Sequence, residues 1–591
     1  MKKKILFMSM LASLLMTGCS QDEVVPVKGG GTDGEATTSY MAVNLMSPDN
    51  ATGKAAGRAT AADGYEDGSS DENTVNNVRF YFFDGAGGIA NVKLNGSNYV
   101  NYYDWKNPTQ NADTEKDDIE KILSATIVIS TKEGDKLPQM VAAVINPPTG
   151  TDGKIVWGDD SKSLTALQEV TADYAANGLT QSGHFVMFNS IYVNGSTEVN
   201  AVPIVSDNLQ KKPEDAEKHP VTIFVERSVA KVRVSIDNKA GFEAGKLALK
   251  SKEGDKETPI LVDGKQVYLQ LNGWSLTADT DKGRLVKKIN PAWQNTWWKG
   301  EHRTFWAIND LTAKNQWHPY DEIETALGTP LYTNENAAKN DGNGHNGTAQ
   351  SNTKVILKGT LCDEAGKPFT IVRHLGAYFA DTYNKDDESK NLTALKDNIL
   401  SQLVANGLNY YYATTETQIV NGESKEVAVR KQIDKDDIKI VIAEQIKEEE
   451  KDNNCYVYAQ LTDAAAAKTW YDTLDEKDAA DQPVEPIAFS EINTSLSSKV
   501  DKALVWQSGM TYYYYEIKHL KNDQKQDMIG VVRNHIYDTN VTKILGLGTP
   551  VYDPTKEIYP EKPSKNDHYI AAEVKILSWR VVNNDYILDW N

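Results

Sequence analysis

The sequence predicts a mainly β protein of two β-sandwich domains with a few short helices. Three observations predict it. Short runs rich in Val, Ile, Tyr and Phe recur along the chain, clusters of Gly, Asn, Asp and Pro separate them, and helical periodicity is scarce. At 591 residues the chain exceeds one ordinary core. About 150 residues per domain allows two to four units, and large β-domains favour the lower number.

The chain opens with Lys2, Lys3 and Lys4, then an apolar stretch from Ile5 to Met16 too short to span a bilayer as a mature helix, so residues 1–18 read as an export signal. Met16-Thr17-Gly18-Cys19 resembles a bacterial lipobox, with Met where Leu is usual, which makes Cys19 the expected lipidation site. Ser20-Gln21-Asp22-Glu23 resembles an acidic signal for surface exposure at the outer membrane. From Val24 to Ser39 the chain is rich in Gly and polar residues, as a flexible tether would be.

Tyr40 to Met46 alternates, placing Met41, Val43 and Leu45 on one face of a half-buried strand. Ser47 to Asn73 holds almost no large apolar residue and reads as a long exposed loop, with Asp63 to Asn73 a solvated acidic linker. Strand runs then follow at Val78–Phe83, Ile127–Ile129, Met140–Ile145, His184–Phe188 and Val221–Val234. A Lys- and Gly-rich stretch near Ile236 to Glu257 marks the domain boundary, which divides the chain into an N-terminal sandwich (59–240) and a C-terminal one (241–591). Two helices covering a sheet are expected, one at Asn391–Ala405 with Leu392, Leu395, Ile399 and Leu403 on one face, the other at Ile492–Trp506 with Leu496, Val500, Leu504 and Val505. In Tyr512-Tyr513-Tyr514-Tyr515, alternate rings point to opposite sides of a strand, which favours two-sided packing over a stacking platform.

Composition excludes several functions. A net charge of -20 with no basic cluster disfavours nucleic acid. Three cysteines, Cys19, Cys362 and Cys455, build no disulfide framework or cysteine zinc site; the last two could pair or remain buried thiols. The nine histidines are scattered without H-E-x-x-H, and no nucleophile elbow stands out, so neither enzyme nor cofactor is expected. Trp293, Trp297, Trp298 and Trp306 fit core packing better than sugar stacking.

The strand wording resembles the bacterial fimbrillin family of type V pili, in its minor-fimbria major-subunit branch. The matching phrases include Val78-Arg79-Phe80-Tyr81-Phe82-Phe83-Asp84, Phe224-Val225-Glu226-Arg227-Ser228-Val229-Ala230-Lys231-Val232, Leu331-Tyr332-Thr333-Asn334-Glu335-Asn336 and Gly530-Val531-Val532-Arg533-Asn534-His535. The resemblance implies Greek-key, transthyretin-like sandwiches in a lipidated precursor, cut after a basic residue behind the first strand. That cut falls between Arg58 and Ala59, with Lys54 a weaker candidate, and residues 19–58 become a removable propeptide. The implied partners are a trypsin-like protease, accessory fimbrial subunits and other copies of this chain joined head to tail. Lipid on the precursor ties it to the outer membrane before it enters an extracellular adhesive fimbrium.

Donor-strand candidates lie at the C-terminus: Val574, Ile576, Leu577, Trp579 and Val581, or Tyr586, Leu588 and Trp590. A tip or anchor fimbrillin, or a non-polymerising glycan-binding surface lipoprotein, stands as the alternative.

Overall fold

The computed structural model describes residues 37–46, 68–95, 99–108, 122–132, 134–175, 178–194, 197–288, 315–337, 352–384, 391–442, 456–519, 528–560, 569–578 and 582–586. The signal segment, Cys19, Arg58, Ala59, the tryptophans at 293–306 and Cys455 lie outside these residues. Among the described residues no helix is long and apolar enough to cross a membrane, which does not bear on membrane β-barrels.

The protein is mostly β, as the patterning predicts. Asn77–Phe83 and Met140–Ile145 are nearly unbroken apolar runs, and such runs suit strands buried on both faces. They pair antiparallel, Val78 opposite Ile145 and Phe83 opposite Met140, with Phe80, Phe82, Val141 and Val144 fully buried. The nine-stranded sheet that holds them runs Lys93–Leu94, Ile122–Thr131, Thr37–Met46, Val221–Arg227, Met187–Asn189, Met140–Ile145, Asn77–Phe83 and Tyr102–Lys106, with Val202–Pro203 beside Met140–Ile145. One core unites these strands.

The expected run Val221–Val234 is two strands, Val221–Arg227 and Val229–Ile236, broken at Ser228. Here the chain changes cores. Val229 packs with the first, Ala230 with the second.

The second core lies between two five-stranded sheets. One runs Leu331–Asn334, Val229–Ile236, His535–Leu545, Tyr569–Ser578, Val582–Tyr586; the other Leu247–Ala248, Tyr268–Thr277, Lys354–Cys362, Met510–Glu516, Thr549–Pro550. Tyr513 and Tyr515 enter this core while Tyr512 and Tyr514 enter a smaller one on the opposite side. The four tyrosines thus pack two ways, as alternation along a strand requires.

A third core lies over the sheet Ala377–Asp381, Thr370–His374, Ala503–Trp506, Tyr456–Leu461, Ile438–Ile442. Helix Thr393–Ala405 covers it with Leu395, Ile399 and Leu403. The second expected helix ends early, at Ser498. Ala503–Trp506 is instead an inner strand between Thr370–His374 and Tyr456–Leu461, buried at all four positions, and its β-pairing overrides the helical spacing. The turn out of it needs Gly509 (φ 75°), where a Cβ would overlap the Leu361 carbonyl oxygen. From this unit the ribbon Tyr411–Val420 with Glu423–Gln432 extends around an Asn421-Gly422 turn, and a third strand, Trp470–Tyr471, supports only its base.

Candidate functional site: the first-strand slot and the charged junction

The first strand, Thr37–Met46, is not an edge. It pairs antiparallel with Ile122–Thr131 at all ten positions and parallel with Val221–Phe224 at Val43, Asn44, Leu45 and Met46. Tyr40 exchanges backbone hydrogen bonds with Gln210 (2.6 and 2.9 Å). Met41 and Val43 are fully buried in the first core, and Met41 sits opposite the equally buried Ile127. Leu45 pairs with Leu123 and Ile223. Removing this strand would uncover two ladder edges and the floor beneath Met41 and Val43.

The C-terminal candidates fall in two places. Val574, Ile576 and Leu577 belong to Tyr569–Ser578, an inner strand whose partners on His535–Leu545 are Thr539, Tyr537 and Ile536. Tyr586 pairs with Ala572 in the last strand, Val582–Tyr586, which lies at the sheet edge. Trp579, Val581, Leu588 and Trp590 lie outside the described residues.

A second assembly was not expected as a site. Glu226, Arg227, Lys231, Glu335 and Arg533, from the later strand phrases, converge where the two sandwiches meet. Glu226, at the end of Val221–Arg227, accepts from Lys287 Nζ at 2.8 Å, and both are almost wholly buried. Burial pushes the Glu226 carboxyl up and the Lys287 ammonium down, while their mutual attraction opposes both changes. Lys287 follows Leu285 and Val286, which pack into the first core although they come after the second has begun.

Arg533, fully buried, donates from Nε to Glu335 (3.1 Å), from Nη1 to the Leu285 carbonyl (2.8 Å) and from Nη2 to the Arg284 carbonyl (2.5 Å). Asn334 accepts from the Tyr174 amide (3.0 Å) and donates to Asp173 (3.1 Å) and the Thr280 carbonyl (2.9 Å).

The stretch expected to be an open acidic linker ends in this junction. Residues Ser70–Asn73 form one helical turn closed by a capping box, with Glu72 accepting from the Ser69 amide at 2.7 Å. The Glu72 side chain is fully buried and accepts from Lys231 Nζ (2.8 Å) and Tyr332 OH (2.6 Å). Arg227 Nε donates to the Glu72 carbonyl (3.1 Å), and its guanidinium also donates to the Asn73 side chain. Burial pushes the Glu72 carboxyl up, but the hydrogen bonds from Lys231 and Tyr332 outweigh it and hold the group below the ordinary carboxylate range. Partners distant in sequence thus turn the end of a polar loop into buried structure. The legible signal was Glu226 and Arg227 within the apolar run Val221–Val234, and Arg533 after Val531-Val532; Glu335, among Asn334 and Asn336, carried none.

The arrangement ties parts of the chain that are far apart in sequence to one another. Among the described residues no group of three or more His, Cys, Asp or Glu side chains could hold a metal ion. Cys362 is a buried free thiol, and burial pushes it up.

Residues 505–585 match the family model described as major fimbrial subunit protein type IV, fimbrillin, C-terminal. No curated protein matches the chain. Among solved structures, the chain is similar to a candidate cell adhesion protein of Parabacteroides distasonis (10% identity, 91% of this chain and 96% of that one, TM-score 0.33). A candidate cell adhesion protein of Bacteroides eggerthii matches at 11% identity over 95% and 98%, TM-score 0.29. The C-terminally truncated tip fimbrial protein Mfa3 of Porphyromonas gingivalis matches at 12% identity over 92% and 100%, TM-score 0.28. Likenesses at TM-scores this low identify neither a shared role nor a shared partner.

Proposed function

We propose that this chain, a fimbrillin by its C-terminal sequence over residues 505–585, is the repeating subunit of a fimbrial shaft. It is exported as a lipoprotein on Cys19, cut after Arg58 by a trypsin-like protease, and polymerised by donor-strand exchange. The shaft reading assigns it no catalysis. The observation that carries the reading is the position of Thr37–Met46: inside a sheet, yet joined to the rest only through the sequence segment that contains Arg58.

The energetics favour a protease as the trigger. Each buried large apolar side chain contributes roughly 1.5–3 kcal/mol and each ladder hydrogen bond about 0.5–1.5 kcal/mol net. A ten-residue strand therefore gains on the order of 10 kcal/mol before ordering costs. A competing strand from a neighbour gains a similar amount but lacks the tether, so the resident wins until the chain is cut. After the cut a neighbour's strand completes the sheet by β-augmentation. Slot and donor lie on different sandwiches, so the contact is heterologous and propagates.

The last segment, 582–591, is the favoured donor. Strand 569–578 would have to abandon its pairing with His535–Leu545 to leave, whereas Val582–Tyr586 gives up only an edge. The test is digestion of purified precursor with trypsin, followed by N-terminal sequencing and electron microscopy. Fibres are expected from the product that begins at Ala59, and none from a chain lacking residues 582–591. Fibres from that truncated chain, or a monomeric Ala59 product, overturn the proposal.

A further inference from the structure

Residues 59–78 contain no Lys or Arg. The next basic residue after Arg58 is Arg79, which is buried and salt-bridged to Asp104 (2.6 Å). A trypsin-like enzyme acting after Arg58 therefore leaves a new N-terminal tail with no accessible second site. What limits that tail structurally is a separate matter, because strand Asn77–Phe83, which carries Phe80 and Phe82 into the first core, begins only a few residues past the helical turn.

We propose that the knot around Glu72 is the stop that keeps the new N-terminal end, once cut after Arg58, from fraying into the first sandwich. This inference rests on the processing proposed for Arg58. A single helical turn is far too short to hold itself, so its partners must hold it. They are Lys231 and Tyr332 on two strands of the second sandwich and Arg227 on the first. Immediately downstream, Asn146 continues the hold, accepting from the Asn76 amide (2.9 Å) and donating to the Thr74 carbonyl (2.8 Å). In the precursor the segment is tethered on both sides. In the cut chain the knot is the outermost hold against fraying toward Asn77, with the Asn146 contacts and buried Val75 behind it. Glu72 is a positioning residue: it keeps the cut end docked on both sandwiches while the slot exchanges its strand.

The test is aminopeptidase trimming of trypsin-cut protein, with the endpoint read by mass spectrometry. Trimming of the wild type should halt at or before Ser69. In cut Glu72→Ala it should run past Asn73, and hydrogen exchange over 69–73 should rise by roughly tenfold or more on cleavage, against little change in the wild type. Tyr332→Phe, which keeps the ring and removes one hydrogen bond, should fall between the two; it serves if Glu72→Ala does not fold. Wild-type trimming past Ser69, or identical endpoints in all variants, overturns the stop. Absence of cleavage at Arg58 overturns the processing it rests on, a result visible in the same spectra before any aminopeptidase is added.

Discussion

Shortening Met41 to alanine should destabilise the precursor and leave the processed chain untouched. Met41 is fully buried, faces Ile127 across the ladder and packs in the first core. Truncating such a side chain to Ala costs about 2–5 kcal/mol through lost transfer energy and the cavity left behind. The same cost falls on retention of the strand after cutting. At about 1.4 kcal/mol per tenfold, its departure should accelerate from about 30-fold to several thousand-fold. Equilibrium urea unfolding of uncut wild type and Met41→Ala, together with a time course of strand release after trypsin, measures both effects. Equal stability of the two uncut proteins would refute the reasoning. So would release at the wild-type rate.

Arg533→Met removes the guanidinium that meets buried Glu335, at a cost of about 3–5 kcal/mol; calorimetry should show the two sandwiches unfolding in separate steps, and a single unchanged transition would contradict it. The Glu72 carboxyl is held low when folded, so its stabilisation is complete above the unfolded carboxylate value of about 4.3 and disappears as pH falls through the folded value. Glu72→Gln should accordingly flatten the fall in melting temperature as pH drops below about 5, and an unchanged slope argues against the ion pair. Gly509→Ala forces a side chain onto the Leu361 carbonyl at positive φ and should cost at least about 1–3 kcal/mol in chemical unfolding.

Much of the β architecture was legible because its signals are local. Met140–Ile145 is a strand with the bounds its apolar run predicts, and Thr393–Ala405 buries the stripe its spacing describes. Signals failed where a distant partner decides. The helical spacing of Leu496, Val500 and Leu504 loses its meaning once Ala503–Trp506 finds strands on both sides. Glu72 looked like one more acid in a solvated linker until Lys231 and Tyr332 closed on it from well over a hundred residues away. Glu226, Arg227 and Arg533 were visible as charges within apolar runs, but which acid meets which base depends on register between sheets, and no single strand encodes that.

The ribbon from Tyr411 to Gln432 lends itself to engineering. Its Asn421-Gly422 tip lies at the far end from the supporting strand, and the neighbouring Ile419 is 82% exposed. Exposed loop tips accept insertions that buried segments do not. A foreign peptide spliced between Asn421 and Gly422 would ride at the end of a mast, away from the buried cores, and each copy of the chain would present one.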